Sequence, residues 1–113
     1  MELTVLRSDD AVTHVKLTGR LDDPGVNEVA LHFTRNTVTR RKPSLVDLSA
    51  VDFITSLGMG MLVGNAQALR RFSVVMVIVD PQPRVEAALN AAGINQIIPI
   101  AHGLEEAERL LRE

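Results

Sequence analysis

Ser44-Leu45-Val46-Asp47-Leu48-Ser49-Ala50-Val51-Asp52-Phe53-Ile54-Thr55-Ser56-Leu57-Gly58-Met59-Gly60 carries most of the information about the fold. Ser44 to Leu48 reads as a compact strand, and Ser49 to Thr55 as the loop that follows it. From Ser56 to Arg71 the chain reads as a helix, because Gly58, Met61, Leu62, Asn65 and Leu69 fall on one face. A strand followed by a helix is half of a crossover unit, which returns the next strand parallel to the first.

That next strand is Val74 to Val79, an apolar run rich in β-branched residues, as expected of a strand covered on both faces. Upstream, Leu3 to Arg7 and Val12 to Leu17 are short strands separated by the turn Ser8-Asp9-Asp10. Asp23 before Pro24 predicts a helix start, with Asp23 as N-cap. Val26, Val29, Ala30 and Phe33 mark the buried face of that helix, which fades near Thr39 to Arg41 before Lys42-Pro43. Downstream, Pro83 opens a helix bearing Val85, Ala88, Leu89 and Ala92, and Gly93 ends it. Ile97 to Ile100 reads as a last strand, placed at an edge by Pro99. Leu104, Ala107, Leu110 and Leu111 mark a closing helix.

The order ββαβαβαβα predicts an α/β fold: a small mixed sheet, antiparallel in its opening hairpin and parallel afterwards, with four helices. Residues 1–113 are expected to form one domain, since the length is usual for one and 46% hydrophobic content supplies one core. Twelve basic against fourteen acidic residues leave a net charge of −2, which gives no global field for nucleic acid. Three Phe, with no Tyr or Trp, leave almost no base-stacking platform. The absence of cysteine removes disulfides, thiol nucleophiles and zinc-thiolate sites. Met1-Glu2-Leu3-Thr4 lacks signal-peptide character, and Val74 to Val79 is too short to cross a bilayer, so a cytoplasmic protein without membrane insertion is expected.

Parallel sheets place working loops at the carboxyl ends of their strands, which directs attention to Thr55-Ser56. A hydroxyl where a helix begins sits among unpaired N–H groups at the positive end of the dipole, where a phosphate is partly neutralised. Gly58 and Gly60 would let another backbone approach, as a docking surface requires. The same residues also have a purely structural reading, Thr55 or Ser56 as an N-cap and the glycines as packing positions.

The quoted stretch from Val46 to Gly60 resembles the core signature of STAS domains, the anti-sigma-factor-antagonist family. Leu17-Thr18-Gly19-Arg20-Leu21-Asp22 resembles the family's second strand and turn, and Val77 to Val85 its fourth strand and third helix start. Ala91-Ala92-Gly93-Ile94 and Leu104-Glu105-Glu106-Ala107 resemble its C-terminal third. The resemblance implies a non-enzymatic protein without cofactor, in which Ser56 is the serine presented to an anti-sigma factor that is also a serine kinase. Unphosphorylated, such an antagonist captures the kinase; phosphorylation ends the capture, and a metal-dependent phosphatase of the PP2C type resets it. Asp22, Asp23, Thr55, Ser56, Leu57, Gly58 and Met59 would form the contact surface, with Thr55 a second candidate acceptor. This sequence departs from the family's pattern at Thr55, often Asp, at Leu57, often Ser, and at Arg71-Phe72-Ser73-Val74, where a glycine pair is usual.

Two other readings remain open: a constitutive STAS subunit of a stressosome or lipid-transport ATPase, and an enzyme using Ser56 as nucleophile. The enzyme reading lacks G-x-S-x-G and an obvious histidine base. His14, His32 and His102 show no metal-ligand spacing, so no metal site is expected. Asp22, Asp23, Asp47 and Asp52 could gather near Ser56 and repel an added phosphate, or serve as caps and solvated groups. Arg35, Arg40, Arg41 and Lys42 are read as compensating the dipole at the end of the first helix.

Overall fold

The structure, a computed structural model, describes residues 1–112. Strands β1 (Glu2–Ser8) and β2 (Thr13–Leu21) form the opening hairpin, followed by α1 (Asp23–Asn36) and a 3-10 turn (Val38–Arg40). Then come β3 (Ser44–Ile54), α2 (Ser56–Arg70), β4 (Met76–Val79) and α3 (Pro83–Ala91). A second 3-10 turn (Ile94–Gln96), β5 (Ile100–Ala101) and α4 (Leu104–Leu111) complete the described chain. The five strands lie in the order β1-β2-β3-β4-β5, with the first pair antiparallel and the rest parallel, so the predicted mixed α/β sheet with four helices is what forms.

Side chains alternate across a strand, and here they divide the core in two. Val46 and Leu48 of β3 and Met76 and Ile78 of β4 join Val26, Val29 and Phe33 of α1, Met61, Leu62 and Leu69 of α2, and Val85 and Leu89 of α3. Leu45, Val77 and Val79 turn the other way, onto Val12, Ala101 and Ala107 of α4. Three helices therefore cover one face and α4 part of the other. The fully buried leucines of the larger cluster, such as Leu17, Leu48, Leu62 and Leu69, each contribute roughly 2 kcal/mol relative to an exposed position.

Several boundaries move. β3 runs on to Ile54 where a loop from Ser49 was expected, because β2 also continues to Leu21 and pairs Thr18, Gly19, Arg20 and Leu21 with Ala50, Val51, Phe53 and Ile54. Two shifts of register in that pairing break the period-two pattern and hide the strand from a periodicity reading. β4 starts at Met76, since Val74 and Val75 only lead in, and the Val75 carbonyl accepts the Ser44 N–H at 2.9 Å. The last strand is Ile100–Ala101, after a 3-10 turn that uses Ile94 to Gln96, and it does lie at the sheet edge. α2 ends at Arg70 without the usual glycines because Ser73 itself adopts the left-handed conformation, φ 62°, and Val74 N–H closes back on the Leu69 carbonyl at 3.3 Å.

Two histidines titrate in opposite senses. His102 Nε2 lies 2.8 Å from Glu86 Oε1, and hydrogen bonding to Glu86 raises its pKa above 6.5. That contact stabilises the fold fully below about pH 6.5 and is lost as pH rises through the raised folded value. His14 in β2 has a buried, unpartnered Nε2, and burial lowers its pKa although Asp47 and Glu108 oppose and Arg7 reinforces the shift. Acidification below about pH 6.5 therefore protonates the unfolded chain first and destabilises the fold. Proton NMR titration should place His102 above and His14 below the ordinary histidine value, and Glu86→Gln should return His102 toward it; coincident midpoints for the two rings would refute this.

Candidate functional site at the amino end of α2

β3 hands directly to α2 at Thr55, which is extended at φ −108°, ψ 173°. Its Oγ1 accepts the Gly58 N–H at 3.4 Å, so Thr55 is the N-cap and Ser56 the first helical residue. The Thr55 hydroxyl donates toward Asp23 Oδ1 at 3.3 Å, with the Leu21 carbonyl at 3.5 Å, and the Thr55 N–H donates to Leu21 O at 3.0 Å. Thr55 thus ties the end of β2, the start of α1 and the start of α2 together. Ser56 and Leu57 are exposed beside it.

Asp-Asp-Pro offers two caps in succession, and the one used on α1 is Asp22 rather than the expected Asp23. Asp22 Oδ1 accepts the Gly25 N–H at 2.9 Å and Oδ2 receives Arg20 Nε at 3.3 Å. The Gly25 N–H, helped by Arg20, lowers the Asp22 pKa and keeps the carboxylate charged. Asp23, freed from capping, is exposed and faces Thr55.

Gly58 does not present a surface. A Cβ there would stand 2.5 Å from the Leu21 carbonyl oxygen and 2.9 Å from Leu21 Cγ, so the close approach that requires glycine is made by the chain's own β2. Met59 is half-buried and packs on the larger core, whereas Gly60 meets nothing. Of the four aspartates, Asp23 reaches the Thr55 turn, whereas Asp22 is taken up by Gly25 and Arg20. Asp47 instead accepts the Ser49 N–H at 2.7 Å, and Asp52 is exposed on β3. Phe53 and Arg20 are additions that the sequence reading missed: the Arg20 guanidinium lies 4.3 Å over the Phe53 ring, and Phe53 and Leu57 are 40% and 47% exposed. Leu57 is thus an exposed apolar side chain next to Ser56, and Phe53, with Arg20 over its ring, is a second one on the strand that leads into the turn. No group of three or more potential metal ligands occurs among the described residues.

The model of the STAS domain matches residues 4–107. The chain belongs to the STAS domain family. No curated protein sequence matches it. An anti-sigma factor antagonist from Mycobacterium paratuberculosis shares 23% identity with this STAS domain at a TM-score of 0.84, the alignment covering 99% of this chain and 96% of that one. SpoIIAA in its unphosphorylated form shares 18% identity at a TM-score of 0.77, covering 98% and 96%. The Bacillus cell fate determinant SpoIIAA in its phosphorylated form shares 15% at 0.70, covering 96% and 99%. At these identities the likeness is one of fold.

Within this STAS domain the two neighbouring hydroxyls should differ in their structural weight. Thr55→Ala removes a cap and a strap between two helices and should lower stability by about 1 kcal/mol, while Ser56→Ala should change it by less than about 0.5 kcal/mol. Gly58→Ala should cost about 1–3 kcal/mol through overpacking against Leu21. Urea denaturation of the three variants checks the ranking, and a Ser56→Ala loss equal to that of Thr55→Ala would contradict the cap assignment.

Proposed function

We propose that this STAS domain is an anti-sigma-factor antagonist whose capture of an anti-sigma factor kinase is switched off by phosphorylation of Ser56. The reading is carried by one observation: Ser56 offers an exposed hydroxyl on the first turn of α2, next to a Thr55 hydroxyl already engaged as cap and strap. Of the two candidate acceptors, Ser56 can be modified without dismantling the turn. A phosphate there is favoured by the helix N-terminus, so it leaves the fold in place while adding about −1.5 to −2 charge to the face. Asp23 already places one carboxylate beside the turn, and exposed Leu57 and Phe53 supply the apolar part of the contact. The chain contributes acceptor and surface; ATP and magnesium belong to the kinase, and a metal-dependent phosphatase removes the group.

A carboxylate or phosphate pressed into a partner surface shaped for a neutral hydroxyl must shed water without a counter-charge, which costs several kcal/mol and erases micromolar affinity. Since Thr55 holds the cap, Ser56→Ala and Ser56→Asp should fold alike, with Asp if anything favoured by the helix dipole. Calorimetric titration with an anti-sigma factor kinase from the same host should find Ser56→Ala within a few-fold of the parent and Ser56→Asp weakened by roughly a hundredfold or more. Phosphopeptide mass spectrometry of protein from its host should locate the group on Ser56. Equal binding by both variants would remove the switch and favour a constitutive subunit; turnover by the isolated chain that vanished in Ser56→Ala would favour an enzyme.

A further inference from the structure

Six of the twelve basic residues, Arg35, Arg40, Arg41, Lys42, Arg70 and Arg71, belong to the carboxyl ends of α1 and α2 and the turn between α1 and β3. No Asp or Glu occurs from residue 29 to 46 or from 53 to 79. The two helices lie side by side, with Thr34 Oγ1 donating to Asn65 Oδ1 at 3.0 Å. The turn meets the end of α2 where the Arg41 guanidinium stacks 4.4 Å over the Phe72 ring. These segments form one basic face at the amino edge of the parallel strands, opposite Ser56.

Two of the cations are used internally. Arg40 donates to the Val12 and Asp9 carbonyls and to Thr13 Oγ1, and Arg70 to the Ile97 carbonyl. Arg35, Arg41 and Arg71 are exposed and Lys42 is half-buried. Two helix carboxyl ends carry about −0.5 each, so dipole compensation absorbs about one of these four charges. The neighbouring turn adds Asp9, itself paired with Arg7 at 2.6 Å, and exposed Asp10, so the face keeps a reduced positive excess. Apolar surface is interleaved with it. Phe72 is 41% exposed, and Leu31, 65% exposed, shares a helix face with Arg35 four residues on. Arg41 and Ser73, at φ 56° and 62°, take left-handed positions where glycine is the low-strain choice.

We propose that this face docks peripherally on an anionic phospholipid surface, the cations meeting headgroups and Phe72 and Leu31 entering the boundary beneath them. Lipid is favoured over nucleic acid because a phosphate backbone would use the cations and leave both apolar side chains unused. The site is independent of the Ser56 reading, and a docked molecule turns Ser56 toward the solution, where a protein partner can reach it.

Co-sedimentation with vesicles tests this: phosphatidylglycerol mixed with phosphatidylcholine against phosphatidylcholine alone, at low and physiological salt. Binding should require phosphatidylglycerol and fall with salt. Each cation near the surface is worth roughly fivefold, so Arg41→Gln with Lys42→Gln should weaken binding about 25-fold. Arg35→Gln with Arg71→Gln, which leaves the Phe72 stack intact, should do the same, and thermal melts control for folding. Phe72→Ser should weaken vesicle binding and leave affinity for a DNA oligonucleotide unchanged, and Ser56→Asp should bind vesicles like the parent. Equal sedimentation with both vesicle types, insensitivity to both charge pairs, or tighter binding to an acidic peptide or the oligonucleotide would overturn the proposal.

Discussion

The carbonyl end of β2 is the constraint on which the site is built. The Leu21 oxygen receives the Thr55 N–H at 3.0 Å and lies where a side chain on Gly58 would have to be. The Arg20 carbonyl, one residue earlier, bears in the same way on Gly25 of α1. Both helices therefore begin by seating a first-turn glycine against the last two peptide units of one strand. A slip of β2 by one residue would exchange its buried and exposed side chains and unseat both helices together. The hairpin with β1 and the parallel pairing with β3 fix that register from both sides.

From this seat follows a division of labour between two adjacent hydroxyls. Thr55 faces inward, spending its acceptor on Gly58 and its proton on Asp23, while Ser56 one residue later faces solvent. An aspartate in place of Thr55 would add a charge beside Asp23. A threonine keeps the cap without that repulsion, at the expense of a long hydrogen bond. The carboxylate at the turn is thereby Asp23, while Arg20 pairs with Asp22 and stacks on Phe53.

The mixed sheet, the four helices and the place of Thr55 and Ser56 at the head of α2 follow from signals with a direct physical meaning: the apolar run before Asp80, proline at helix starts, glycine after α3, and two hydroxyls after β3. What escaped the sequence depended on contacts between distant segments. β3 continues through Ser49 and Asp52 only because β2 is there to pair with it, across two irregularities that no period detects. Whether Asp22 or Asp23 caps α1, and Thr55 or Ser56 caps α2, is decided by which oxygen reaches Gly25 or Gly58. Phe53 gave no sign of exposure, since an aromatic residue within an apolar stretch ordinarily points inward. Gly58 was legible as a close approach, but the approaching backbone proved to be the chain's own.

The closing segment is held differently from the rest. β5 contributes two residues to the sheet, directly after a proline that has no N–H to give, and α4 rests on a cluster of six buried residues, two of them alanine. Such a segment should open more readily than β3 and β4, its amides exchanging with solvent first. Its release would uncover Leu45, Val77 and Val79 on the second face of the sheet and leave the larger cluster, with the Thr55 turn attached to it, standing. Transient loosening there is a breathing mode that the Ser56 surface need not feel.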